Sequence, residues 1–209
     1  MSKIIRLPES EIPRAGEVLA GSFFHDPICV YMFPDEGERA RLLPWHFTAF
    51  VRYGHLFGEV YSTAGRTDGV AVWLPPGEVE MSPDRVAQAG LDRAPEVLGT
   101  EPWERFNGVM GYLEQYHLQD VSPWHWYLPL IGVDASQQGR GLGAALLEPI
   151  LKRAEAEGLP CYLETVEPGN LPFYTRRGFK VITQGLEPRS GIRFWTFRRD
   201  PVQGDEARP

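Results

Sequence analysis

The stretch GVDASQQGRGLGAALLEPIL, residues 132–151, constrains the fold more than any other part of the chain. It sets three alternate glycines, Gly139, Gly141 and Gly143, between one apolar run and a second run with helical spacing. The first run, WHWYLPLIGV at 124–133, is apolar almost throughout, as expected of a strand buried on both faces near the middle of a sheet. The second reads as a helix to about Glu157, closed by Gly158 just past its end. PCYLETV, 160–166, follows as another strand. Strand, helix and strand make one parallel crossover, expected to be right-handed.

The rest of the chain surrounds this unit. KIIRL (3–7) reads as a short strand ended by Pro8, and 9–23 as a helix with Ile12, Ala15, Val18 and Leu19 on one face. DPICVYMFPD (26–35), with proline near each end, reads as an aromatic-rich loop. The stripe over 38–58 predicts a helix broken or kinked near Pro44. EVYSTA (59–64) and GVAVWLPPG (69–77) predict a hairpin. Residues 82–117 read as two polar helices, with Pro95 and Gly99 marking the break between them. A short helix over 168–177 ends at Gly178, and FKVIT (179–183) and IRFWTF (192–197) are expected to pair. The expected fold class is α/β: a mixed sheet covered by helices, in one domain over 1–199, with a disordered polar tail at 200–209.

Glycines at a strand–helix junction let a backbone approach a ligand closely. A Walker A loop would need a lysine after them, and none follows. Gly139, Gly141 and Ala144 do match the dinucleotide fingerprint, with Glu164 about 20 residues on where a ribose-binding acid belongs. Chain order opposes that reading: helices and a hairpin come first, and too little chain remains to complete a doubly wound sheet. A third reading is a cradle for the pyrophosphate of coenzyme A, because a helix start leaves N–H groups unpartnered and its dipole favours an anion.

Gln138-x-x-Gly141-x-Gly143 is the pattern of the GNAT acetyltransferase superfamily. Asn170, Phe173, Tyr174, Gly178 and Phe179 in NLPFYTRRGF resemble the superfamily's ending. GVAVWLPPG, the 124–151 stretch with Pro149 inside its helix, and LPCYLETVEPGNLPFYTRRGF are together similar to the puromycin N-acetyltransferase branch. The resemblance is carried chiefly by 124–183, less by 1–75 and least by 76–123, where acceptor specificity could differ. It implies the GNAT fold, with strands 124–133 and 160–166 splayed around the pantetheine arm of acetyl-CoA as co-substrate and no metal. Ile131 and Val133 would bind that arm, with Val133 N–H also facing the thioester oxygen. Gln138, Gly139, Arg140, Gly141, Gly143 and Ala144 would hold the pyrophosphate, with Asn170 and Phe173 completing the cofactor site. Tyr174 would be the general acid, although it could equally be a packed aromatic like Phe173. The base is Glu164, His125 or water, or none for an amine of low pKa. Glu59 and Tyr61 could reach a substrate. Arg176 and Arg177 suit either a 3′-phosphate or the helix dipole. The aromatic segment 21–33 and WHW (124–126) could floor an acceptor pocket or simply pack in the core.

A net charge of −7 opposes nucleic acid as a general partner. The opening residues MSKIIRLPES contain no apolar run long enough for a signal peptide or membrane helix. Cys29 and Cys161 form no disulfide framework, and Cys161 within an apolar strand reads as a buried thiol. These features lead to the expectation of a cytoplasmic enzyme, monomeric or homodimeric, acetylating a small-molecule amine. A protein lysine or N-terminal acetyltransferase and a non-catalytic acyl-CoA sensor are the alternatives.

Overall fold

A computed structural model describes residues 3–202. The elements run β1 (Ile4–Arg6), α1 (Ile12–Ser22), α2 (Pro27–Met32), α3 (Glu36–Phe57), β2 (Glu59–Thr63), β3 (Gly69–Leu74), α4 (Pro83–Ala89), α5 (Ala94–Leu98) and α6 (Thr100–Asp120). β4 (Trp126–Val133), α7 (Leu142–Glu157), β5 (Cys161–Thr165), α8 (Leu171–Thr175), β6 (Lys180–Leu186) and β7 (Arg193–Arg199) follow. The strands form one mixed sheet of seven in the order β1-β2-β3-β4-β5-β7-β6. β4 is fourth of seven, the central place its composition predicts, and only its pairing with β5 is parallel.

β3 explains why the sheet needs helices on both faces: all six of its residues are buried. Alternation sends Val70 and Val72 to one face, where Val18 and Leu19 of α1 and Phe47 and Val51 of α3 cover them. Ala71 and Trp73 point the other way, against Leu146, Leu147 and Ile150 of α7. α6 closes the far end, its Val109 and Leu113 packing on Val166 and Phe194.

Three expectations are corrected. The segment 26–35 is not simply a loop, for it contains α2. Asp26 accepts from Ile28 N–H at 2.9 Å as N-cap, and Pro27 occupies the first turn, where its missing N–H costs nothing. α3 runs unbroken through Pro44, because its buried stripe of Leu42, Leu43, Phe47 and Val51 outweighs the lost hydrogen bond, about 3 kcal/mol. The region 82–117 holds three helices rather than two, with Pro95 inside the first turn of α5 and Gly99, at φ +93°, separating α5 from α6. Of the expected tail, residues 203–209 lie outside the described residues.

Candidate active site

The site begins where β4 and β5 part. Their parallel ladder pairs Trp126 with Cys161 and Tyr127 with Tyr162, and stops there. On its other side β4 carries a bulge: Leu74 faces Tyr127 while Val72 faces Leu130, so β4 supplies one extra residue. Pro129 falls in that bulge, where the lack of an N–H is harmless. Beyond it, Asp134 N–H donates to Asp68 O at 2.8 Å, which fixes the alternation. Leu130 and Gly132 then turn their backbone groups to β3, and Ile131 and Val133 turn theirs into the gap. Val133 O already accepts from Gln138 Nε2 at 3.1 Å.

The gap opens into a cleft of about 550 Å³. Ile131, Val133, Gln138, Gly139, Gly141, Gly143, Ala144, Asn170, Phe173 and Tyr174 all line it, so the structure assembles ten of the twelve expected site residues there. Arg140 is exposed and does not line the cleft, and Glu164 lies elsewhere. The start of α7 faces this space with no side-chain cap, leaving its first N–H groups available to an anion. Gly139 and Gly141 adopt φ of +74° and +81°, and a Cβ on either would enter open space. Those two positions therefore need glycine for the left-handed turn. Gly143 has a different reason, since its Cβ would come within 3.1 Å of the Phe173 ring. Arg176 and Arg177 also line the cleft, beyond any role at the end of α8. Arg177 stacks 3.7 Å from the Phe173 centroid and donates to Phe173 O. The uncapped helix start, the open glycine turn and the nearby arginines fit a pyrophosphate carrier.

A second cavity, about 140 Å³, lies on the other side of the splay under α2, α3 and α6. Phe47, Phe50, Phe106, Met110 and Leu113 supply its apolar wall. Phe23, Asp26, Ile131, Asn170 and Tyr174 line both spaces and form the seam between them. Tyr174 is 5 % exposed, and burial raises its phenol well above the usual range, so it stays protonated through neutral pH. Burial likewise pushes Asp26 up to about 6, against the backbone N–H groups of Ile28 and Cys29. Cys29, at the same wall, is driven well above an ordinary thiol by burial, which disfavours the thiolate.

Glu164 lines the second cavity and ends a buried chain. His125 Nδ1 lies 2.6 Å from Ser122 O, which can only accept, so that nitrogen carries the hydrogen. Burial lowers His125 to about 4, so the ring is neutral and its Nε2 accepts from His117 Nε2–H at 2.8 Å. His117 Nδ1 is left 3.2 Å from Glu164 Oε1. The His117 ring is held by stacking on Tyr162, centroids 4.2 Å apart.

Other candidates from the sequence are placed elsewhere. His125 lines neither cavity and acts at best through His117. Glu59 is occupied by Arg6, Arg153 and the Tyr61 hydroxyl, so neither Glu59 nor Tyr61 reaches the site. Of the aromatic segment 21–33, Phe23, Ile28, Cys29 and Met32 do line the acceptor side. Trp124 is exposed and Trp126 buried in the core, so WHW forms no floor. Sequence reasoning missed Asp26, His46 and His117. Asp-Pro as a helix start would have revealed the first, and the buried i, i+4, i+8 stripe Val109–Leu113–His117 the last.

Asp26 yields a stability prediction. Its folded pKa of about 6 exceeds the unfolded 3.8, so the folded state binds the extra proton and stability falls as pH rises from about 4 to about 6. Asp26→Asn keeps the helix cap and removes the buried charge. Thermal melts should show the variant stabilised by up to about 3 kcal/mol at pH 8 and unchanged near pH 4. Equal effects at both pH values would refute the buried-charge assignment.

Among the described residues no helix is long and apolar enough to cross a membrane. No group of three or more His, Cys, Asp or Glu there could hold a metal ion. A model described as the acetyltransferase (GNAT) family matches residues 70–179. An uncharacterized N-acetyltransferase of Schizosaccharomyces pombe is 30% identical over 179 residues, 83% of this chain and 72% of that one. An L-methionine sulfoximine/L-methionine sulfone acetyltransferase of Pseudomonas aeruginosa is 31% identical over 109 residues, 49% of this chain and 54% of its own length. Among solved structures, a histone acetyltransferase HPA2 and related acetyltransferase from Corynebacterium glutamicum superposes with a TM-score of 0.67. It covers 98% of this chain and 99% of that one at 20% identity, a likeness of fold.

Proposed function

The chain belongs to the acetyltransferase (GNAT) family, and on that premise we propose that it transfers acetyl from acetyl-CoA to the primary amine of a small molecule. One observation carries the reading: an anion-ready cleft and a small acceptor cavity meet at a seam of five residues, Tyr174 among them. A cavity of about 140 Å³ roofed by helices suits a small amine better than a peptide chain. The sequence resemblance adds puromycin-type aminonucleosides as candidates, of which a cavity of about 140 Å³ would hold only one ring. The catalytic unit in this proposal is one domain over 1–199.

Acetyl-CoA supplies the activated thioester. Ile131 and Val133 offer it backbone groups, and Gln138 to Ala144 with the α7 start bind its pyrophosphate, with Arg140 adding charge from the rim. Asn170 and Phe173 close the cleft. Glu164 takes a proton from the ammonium, the proton being shared with His117. The neutral nitrogen attacks the thioester carbon, forming the C–N bond, while Val133 N–H accepts the developing charge on oxygen as a hydrogen-bond donor. The C–S bond then breaks, and Tyr174 gives its proton to the departing thiolate. Tyr174 is restored by the proton that the amide nitrogen sheds. Holding both partners at the seam supplies much of the rate, since positioned reactants reach effective molarities of about 10⁵ M or more.

His117 is a positioning residue in this scheme. His117→Gln should lower kcat about tenfold to 100-fold and leave KM for both substrates within about threefold. A change confined to KM, read by initial rates, would remove His117 from the proton path.

Mass spectrometry of products after incubation with acetyl-CoA tests the acceptor class. The panel holds puromycin, small monoamines, methionine sulfone (the substrate named for the Pseudomonas relative) and basic or N-terminal peptides. Acetylation of a small amine above every peptide supports the proposal. Peptide acetylation alone would move the function to protein acceptors, and coenzyme A binding without any product would favour a sensor.

A further inference from the structure

Asp26 is a carboxylate with no cation. It is half-buried, caps α2 through Ile28 N–H at 2.9 Å, and has only backbone N–H groups to offset its charge. Buried charges in proteins are ordinarily paired. Of the two carboxylates on the acceptor cavity, Glu164 faces His117 at 3.2 Å, whereas Asp26 has no side-chain partner among the described residues. Asp26 alone of the carboxylates lines both the cofactor cleft and the acceptor cavity. A cation on a ligand would complete its pairing, at the seam between the two spaces.

The remainder of the acceptor cavity says what the cation is attached to. No lysine or arginine lines it, so nothing there would neutralise a substrate carboxylate. Its wall is aromatic and aliphatic, with Phe50 and Phe106 at 5.6 Å between centroids and His46 at 4.9 Å from each. Burial pushes His46 down to about 3, so that ring is neutral as well. Its Nδ1 is buried with no hydrogen-bond partner among the described residues. An apolar cavity of about 150 Å³ accommodates a benzene-sized ring, and this one is about 140 Å³.

Resting on the acetyltransferase reading, we infer that the acceptor is a monoamine bearing one compact apolar group, such as a single ring, and no carboxylate, with Asp26 binding its ammonium. Asp26 thereby becomes the specificity-determining residue for charge, and Phe47, Phe50, Phe106 and Met110 those for shape. A second positive charge on the substrate would find only Glu164, which His117 already engages, and a carboxylate beside the amine would meet Asp26 directly.

The test compares 2-phenylethylamine, L-phenylalanine, L-phenylalaninamide and spermidine by thiol release from acetyl-CoA. The first two differ only in the carboxylate, and the amide controls for its bulk. We expect kcat/KM for 2-phenylethylamine to exceed that for phenylalanine by about 100-fold or more, with the amide within about tenfold of the amine and spermidine poorest. Asp26→Asn should raise KM for 2-phenylethylamine about tenfold or more and leave half-saturation by acetyl-CoA within about twofold. Phenylalanine or spermidine matching 2-phenylethylamine would overturn the inference and leave the acetyltransferase reading standing, as would an unchanged KM in Asp26→Asn. No thiol release with any amine, although coenzyme A raises Tm, would overturn both.

Discussion

Tyr174→Phe is expected to lower kcat about 100-fold or more while KM for acetyl-CoA stays within about twofold. The substitution removes a hydroxyl and nothing else. The ring keeps its contacts with Phe173, Phe179 and Phe197, whose centroids lie 5.1, 6.0 and 5.5 Å away, so Tm should move by only a degree or two. Without the phenol the thiolate leaves unprotonated, and general acids typically contribute about 10²–10⁴ in rate. Burial raises this phenol above its usual value of about 10, so it remains a donor across the whole working range. In the wild type, no alkaline loss of activity below about pH 10 should trace to Tyr174. Full kcat in the variant at every pH would assign the proton to another group.

Gly141→Glu should weaken coenzyme A binding about 100-fold or more, measured by calorimetry, through three effects that act together. Position 141 holds φ at +81°, where any side chain costs about 1–2 kcal/mol. The new side chain would enter the open space at the start of α7, where the anion must sit. Its negative charge would then occupy the positive end of the helix dipole. The protein should still fold, because nothing lies within 4 Å of the added Cβ. Unchanged affinity in a folded variant would mean that the cradle is elsewhere. Gly143→Ala makes a useful contrast, since it pushes on the Phe173 ring at 3.1 Å rather than on the turn.

The cofactor side was legible in the sequence because its parts are consecutive. Strand, glycine turn and helix follow one another over 124–158, and each half of the unit has its own periodicity. Pro129 was a signal left unread, since proline in an otherwise central strand implies a bulge, and the bulge accompanies the parting of β4 from β5. The acceptor side was not legible, because it is built from helices far apart in the chain. Asp26 caps α2, His46 sits on the inward face of α3, and Phe106 and His117 sit on that of α6, where a buried side chain and a site-lining one look alike. Asp26 was further hidden by the prolines near both ends of its segment, which suggested a loop and in fact include the first residue of α2. Glu59 and Tyr61 show the opposite error: polar residues on a strand, satisfied by one another and by Arg6 and Arg153 rather than by substrate.

Cys29 provides the sharpest alternative to direct transfer, since a thiol on the acceptor wall could in principle carry the acetyl group as a covalent intermediate. Its burial opposes that role by suppressing the thiolate. Initial rates measured while acetyl-CoA and an accepted amine are varied together decide the matter. The account predicts intersecting double-reciprocal lines, because both substrates must meet at the seam of Asp26, Ile131 and Tyr174 before any bond changes. Parallel lines, with acetylated enzyme trapped before amine is added, would contradict it.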